Sequence, residues 1–266
     1  MKFKFKKILI TGASSGIGEA CARQFAKEGA HLLLAARRGQ RLQSLADELI
    51  KNYGIEVEIL IADVKDLKQL EQSWFKLPQK WREIDVLINN AGLALGMESV
   101  QDANPADWDQ VIDTNLKGVL YMSRLVIKEM LARQTGHIIN MGSVAGYQVY
   151  PGGSVYCAVK FALRGISDGI KMDVHGTPIR VTLINPGMVA GTEFSDVRFR
   201  GDALRKEKLY ENTQPLYPED IADLVVYCAA CPQHVDIREV LIMPTAQTAV
   251  QMVHRAPELD KILDTI

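Results

Sequence analysis

Cysteine is scarce in this 266-residue chain: Cys21, Cys157, Cys228 and Cys231 are too few and too scattered for the disulfide framework of a small secreted domain. Reduced thiols are expected. Cys228-Ala-Ala-Cys231 does spell C-x-x-C, but the five histidines stand singly and offer no second ligand pair for zinc. The pair closes an apolar helical stretch from Ile221 with Pro232 behind it, so the negative end of the helix dipole would oppose a reactive thiolate. Core packing is therefore the expected role, and no metal is expected. Long apolar runs are missing too. The basic opening Met1–Lys7 leads into Ile8-Leu9-Ile10, too short for a signal core, and no later stretch approaches a membrane span. A cytoplasmic protein without membrane partners is expected. Nor is there an excess of one charge. With 31 basic against 32 acidic residues the net charge is −1, which removes the electrostatic footprint of a nucleic-acid binder. Repeats, low-complexity tracts and Pro/Gly/Ser-rich linkers are likewise absent, so residues 1–266 read as one domain of ordinary globular composition, 47% hydrophobic and 24% charged.

Short continuous apolar runs alternate with helix-like segments: Lys7 to Ile10, His31 to Ala35, Glu56 to Ile61, Val86 to Ile88, His137 to Met141, Arg180 to Ile184 and Val240 to Met243. Strands apolar on both faces and separated by helices predict an α/β fold, a Rossmann-type doubly wound parallel sheet of seven strands flanked by helices. Ligands of such sheets bind beyond the carboxyl ends of the strands. The long segment Gly187 to Pro218 follows the sixth strand and reads as irregular. It carries Phe194, Arg198, Phe199, Arg200, Tyr210 and Tyr217, and its position marks a substrate lid at about 187–218.

The first strand runs into Thr11-Gly12-Ala13-Ser14-Ser15-Gly16-Ile17-Gly18, followed by a helix-forming stretch from Glu19 to Lys27. Glycines there let the backbone approach a pyrophosphate, and the helix start supplies free N–H groups; Ser14 and Ser15 add hydroxyls. Where an NAD-binding protein would carry a ribose-binding carboxylate, this chain has Ala35-Ala36-Arg37-Arg38. Two guanidiniums suit the 2′-phosphate of NADP. Asp63, ending the third strand before Val64, either accepts from the adenine amino group or caps the next helix.

Tyr156 and Lys160 lie on one face of a helix, one turn apart, with Ser143 upstream at the end of a strand. A neighbouring ammonium favours the ionised phenol, so Tyr156 is expected to have a lowered pKa and to act as general base. Ser143 would hold the substrate oxygen.

Thr11-Gly12-x-x-x-Gly16-x-Gly18, Asn89-Asn90-Ala91-Gly92, Asn115, Ser143 and Tyr156-x-x-x-Lys160 together resemble the short-chain dehydrogenase/reductases over essentially the whole chain. That resemblance implies a catalytic set of Asn115, Ser143, Tyr156 and Lys160, with Asn115 in a water-mediated relay through Lys160. It places Asn90, Ala91 and Gly92 against the cofactor, Pro186 and Gly187 at the nicotinamide, and Val189 and Thr192 beside them. Residues 89–99 (NNAGLALGMES), 113–122 (DTNLKGVLYM) and 191–202 (GTEFSDVRFRGD) are similar to the NADP-dependent 3-hydroxy acid dehydrogenases, also described as serine or L-allo-threonine 3-dehydrogenases and malonic semialdehyde reductases. The resemblance implies a small hydroxy acid substrate and a homotetramer. A carboxylate substrate wants a cation, which Arg198 or Arg200 in the lid would supply. Two other readings share the motifs, a 3-oxoacyl thioester reductase and a non-catalytic NADP-sensing protein. The stretch from Glu258 to Ile266 resembles nothing that assigns it a role.

Overall fold

The computed structural model describes residues 2–256, so the segment Glu258 to Ile266 lies outside the described residues. In chain order the elements are β1 (Lys7–Thr11), α1 (Gly16–Lys27), β2 (His31–Ala36), α2 (Gly39–Tyr53), β3 (Val57–Ile61), α3 (Leu67–Lys76), β4 (Val86–Asn89), α4 (Pro105–Ile112), α5 (Gly118–Arg133), β5 (His137–Met141), α6 (Ser154–Asp173), β6 (Arg180–Pro186), α7 (Phe194–Arg198), α8 (Ala203–Tyr210), α9 (Pro218–Ala230), β7 (Glu239–Ile242), β8 (Gln247–Ala249) and β9 (Met252–Val253). β1 to β7 form one seven-stranded sheet in the order β3-β2-β1-β4-β5-β6-β7, and every neighbouring pair is parallel.

Both faces of the sheet are covered, which is why its strands read as continuous apolar runs. Ile8, Ile10, Leu32 and Leu34 pack with Phe25 and Cys21 of α1, Leu42 of α2 and Ile221 and Val225 of α9. Leu9, Leu33 and Leu87 project the other way, against Trp74 of α3, Met122 and Val126 of α5 and Ile170 of α6. The order reverses between β1 and β4, and the crevice beyond their carboxyl ends is the place where such a sheet receives a ligand.

Two expectations are corrected here. Gly187 to Pro218 is not irregular throughout: it contains α7 and α8, and Val189 bridges to Leu216 at its base. The short helices escape a periodicity reading because α8 buries no residue and α7 spans 5. The helix cap after β3 falls to Asp66, whose side chain accepts from the Gln69 N–H, while Asp63 accepts from Lys65 N–H instead.

Of the C-x-x-C pair, Cys228 packs in the core while Cys231 is only partly buried. Cys228 is buried in α9, and burial pushes its thiol up to about 11; Cys231 is the residue after the helix. Among the described residues no cluster of three or more His, Cys, Asp or Glu could hold a metal, and no helix is long and apolar enough to cross a membrane.

Candidate active site

A cavity of about 550 Å³ opens at the sheet's reversal point and extends under α7 and α8. Its floor at one end is the turn after β1. Gly12 has φ of 67°, and a Cβ there would lie 2.9 Å from Asn90 Nδ2; one on Gly18 would lie 2.4 Å from the Gly12 carbonyl oxygen. Only glycine permits this closure. Asn90 braces the turn: its Nδ2 donates to Thr11 O at 3.0 Å, and its backbone N–H donates to Thr11 Oγ1 at 3.0 Å. Ser15 precedes α1 without capping it through its side chain, so the helix start keeps N–H groups for an anion.

Gly12, Ser14, Ser15, Gly16 and Ile17 line the cavity, as do Arg37, Arg38, Asp63 and Val64 beside them. Asn90, Ala91, Gly92, Pro186, Gly187, Val189 and Thr192 line it further along. Three expected residues stand behind its wall. Ala13 is fully buried, and Gly18 is pressed against Gly12. Asn115, in a π-helical turn over Asp113–Lys117, spends its amide on Leu93, donating to its carbonyl at 2.7 Å and accepting from its N–H at 2.9 Å. Thr114 takes the place on the wall.

At the other end stand Ser143, Tyr156 and Lys160. Ser143 ends the approach from β5 and turns the chain, accepting from Ala145 N–H at 3.1 Å while its own N–H donates to Asn185 Oδ1 at 3.2 Å. The helical spacing does place Lys160 beside Tyr156, with Nζ 5.6 Å from the ring centroid. The ammonium, however, donates to the Met141 carbonyl at 2.8 Å. Burial lowers Lys160 to about 8. The expected lowering of the phenol is corrected: burial raises Tyr156 well above the ordinary tyrosine value, the Tyr150 phenol adds to this, and a hydrogen bond from Ser143 and the charge of Arg198 only partly offset it.

The lid supplies the rest of this end. The Phe194 ring centroid lies 5.6 Å from that of Tyr156. Arg198 stands over both Tyr150 and Tyr156, at 5.2 and 5.8 Å from their centroids, and its Nε donates to the Gly96 carbonyl at 3.3 Å. Its Nη2 is buried with no partner. Arg200 turns outward to Asp107, away from the cavity, so of the two arginines only Arg198 reaches the site.

Sequence reasoning missed several contributors. Tyr150 lines the cavity from a loop without motif, and Met97 lines it from within the 89–99 segment, where it was not singled out. Gln247 of β8, buried near the end of the described chain, accepts from Met188 N–H at 2.8 Å and supports the turn after β6. Arg41, one helical turn beyond Arg38 at the start of α2, does not line the cavity but pairs with Glu193 of the lid.

This fold and this constellation define a short-chain dehydrogenase/reductase. The short chain dehydrogenase family model matches residues 6–202, and the chain belongs to that family. It is 48% identical over 252 residues to the NADP-dependent 3-hydroxy acid dehydrogenase YdfG of Salmonella typhi, covering 94% of this chain and 99% of that protein. Sulfoacetaldehyde reductase 2 of Chromohalobacter salexigens is 42% identical over 241 residues, 90% of this chain and 94% of that one. The solved closed form of serine dehydrogenase complexed with NADP+ superposes with a TM-score of 0.87 at 45% identity, covering 94% of this chain and 100% of that one.

Proposed function

We propose that this protein is an NADP-dependent oxidoreductase that interconverts small 3-hydroxy acids and the corresponding 3-oxo acids. The observation that carries this reading is one cavity joining a glycine turn and Arg38 at one end to Ser143, Tyr156, Lys160 and Arg198 at the other. The residues fit a dinucleotide phosphate: the turn is closed where any Cβ would collide, the start of α1 is open, and a guanidinium stands beside Ser14 and Ser15. When bound, NADP supplies the acceptor or donor of the hydride.

The chain's own residues do the remainder. Ser143 holds the substrate oxygen, and Tyr156 takes the hydroxyl proton in oxidation or returns it in reduction. Lys160, anchored by Met141, presents its remaining N–H bonds toward the cavity and orients the cofactor's ribose. Asn115 acts through Leu93, keeping the loop after β4 in place. The unpartnered Arg198 Nη2 receives the substrate's anionic head. Residues 187–218 serve as the substrate lid: Tyr210 Oη donates to Val189 O at 2.9 Å and shares a 2.8 Å bond with Ser195 Oγ, tying α8, α7 and the sheet end into one cover. A cytoplasmic homotetramer is part of the proposal, supported by the family resemblance.

Purified protein is expected to reduce NADP in the presence of L-allo-threonine or L-serine, and to do so far more slowly with NAD. Tight NADPH binding with no turnover on any hydroxy acid would displace this reading in favour of acyl thioesters or a cofactor-sensing role. The turn itself is open to test. Gly18→Ala is expected to lower stability by about 1–3 kcal/mol through overpacking and to abolish the rise in Tm that NADPH gives the native protein. An unchanged Tm and an unchanged shift would show that the turn is slack.

A further inference from the structure

At the adenosine end, a carboxylate of the lid occupies the guanidiniums that a phosphate would need. Glu193 Oε2 accepts from Arg38 Nη1 at 2.7 Å, and Glu193 Oε1 accepts from Arg41 Nη1 at 2.7 Å. One carboxylate thus bridges two arginines. The other edges of Arg38 are directed at the hydroxyls of the glycine turn, with Nη2 donating to Ser14 Oγ at 2.9 Å and to Ser15 Oγ at 2.8 Å. Arg37 does not join this cluster; its Nη1 faces Asp63 at 3.7 Å. Burial by itself would raise the Glu193 carboxyl, but bonds from Arg41, Arg38 and Ser15 outweigh it and hold the group at about 2. Glu193 is therefore anionic throughout the physiological range, and protonation does not open the contact.

Glu193 is also the residue immediately before α7. Beside it, Thr192 rests on the glycine turn, its Cγ2 3.2 Å from where a Cβ of Gly16 would lie. Beyond it, the same short helix carries Phe194 and Arg198 onto Tyr156. Glu193 thus joins directly onto the helix that covers Tyr156.

We infer that Arg38 and Arg41 form a single anion clamp for which Glu193 of the lid competes with the adenosine 2′-phosphate of the cofactor, so that cofactor binding releases the root of the lid. The inference rests on the NADP reading above. A phosphate monoester carries a charge of about −1.5 to −2 near pH 7 and three acceptor oxygens, against one charge and two oxygens on Glu193. It is the stronger partner for two guanidiniums. A nucleotide without that phosphate leaves the Glu193 contacts intact, which makes the latch a second device for cofactor choice besides the arginines themselves. It also orders events: the lid is unlatched only once the correct cofactor is in place.

Titration calorimetry with 2′,5′-ADP and 5′-ADP as probes tests this without turnover. The native protein is expected to prefer 2′,5′-ADP. Glu193→Gln should tighten 2′,5′-ADP about three- to tenfold and leave 5′-ADP unchanged, because a neutral amide no longer competes for the guanidiniums. Arg41→Ala should weaken 2′,5′-ADP about tenfold, again with 5′-ADP unchanged. Both residues are at the surface, and circular dichroism will confirm that each variant is folded. In hydrogen exchange, amides of Phe194 to Tyr210 should exchange faster in the native protein with 2′,5′-ADP than with 5′-ADP, and Glu193→Gln should erase the difference. Unchanged or weakened 2′,5′-ADP binding in Glu193→Gln would overturn the competition, and indifference of lid exchange to the 2′-phosphate would overturn its coupling to the lid. Failure of the native protein to prefer 2′,5′-ADP would instead overturn the NADP reading itself.

Discussion

Replacing Tyr156 by phenylalanine is expected to reduce turnover about a hundred- to ten-thousandfold, the range a positioned proton-transfer group contributes, while NADPH affinity stays within about twofold. The ring would keep its contact with Phe194, and the cofactor-facing turn lies at the other end of the cavity, so only the transferable proton is lost. Steady-state rates and NADPH fluorescence titration read the two quantities separately. A variant that still turns over would remove Tyr156 from the mechanism. The pH dependence follows from the surroundings of the pair. Burial raises the phenol and lowers Lys160 to about 8, so near pH 7 the phenol is protonated and the lysine charged. That is the acid form, ready to donate to a forming alkoxide. Reduction of a 3-oxo acid should therefore be level below about pH 8 and fall as Lys160 loses its proton, whereas oxidation of the hydroxy acid should climb as pH rises toward the phenol's range. Oxidation fastest in acid would reverse the assignment.

The second large effect belongs to Arg198. Alanine at this position is expected to raise KM for a 3-hydroxy acid about ten- to a hundredfold, the equivalent of one charge-assisted hydrogen bond worth about 1.5–3 kcal/mol. KM for the methyl ester of the same acid should change little, since the ester lacks the anionic head. The argument is the unpartnered Nη2 of an arginine that lines the cavity beside Tyr156, where the other cation at this end, Lys160, is held by Met141. Arg198→Lys should restore only part of the affinity, because a point charge does not reproduce a planar fork. Equal losses on acid and ester would show that Arg198 serves only to hold the lid against Gly96 and the tyrosines. Arg200→Ala is the control, since its guanidinium pairs with Asp107 outside the cavity. It should leave both KM values in place.

Much of this architecture was legible because the physics behind it is local. His137–Met141 forms a strand with the bounds its apolar run indicates, and β1, β2, β4 and β6 extend the expected runs by one or two residues. A sheet buried on both faces leaves no alternation to misread. The glycine turn was equally legible, because a closure too tight for Cβ can be built only from glycine. The lid was harder. α8 buries no side chain and therefore carries no helical apolar stripe, so its helicity is invisible to a pattern that depends on burial.

The electrostatics were the least legible part. Helical spacing puts Lys160 one turn from Tyr156, yet spacing is silent on where a flexible ammonium points, and here it points at Met141. The expected sign of the Tyr156 shift failed because desolvation, its largest cause, depends on what packs over the ring, Phe194 of the lid included. Likewise Arg37 and Arg38 look equivalent in the chain, but one faces Asp63 and the other Glu193, 155 positions away.

By itself, then, the sequence determined the sheet and its strands, the glycine turn, and the identity of the groups that meet at the strand ends. These follow from burial on two faces, from sterics at Cβ and from one turn of helix, all of them interactions within short reach of the backbone. Only the tertiary structure decided which lid arginine lines the cavity, which two arginines meet Glu193, and which way burial shifts the phenol. Those outcomes depend on charges and buried surface brought together from distant parts of the chain, where the same side chain acts differently according to what stands opposite it.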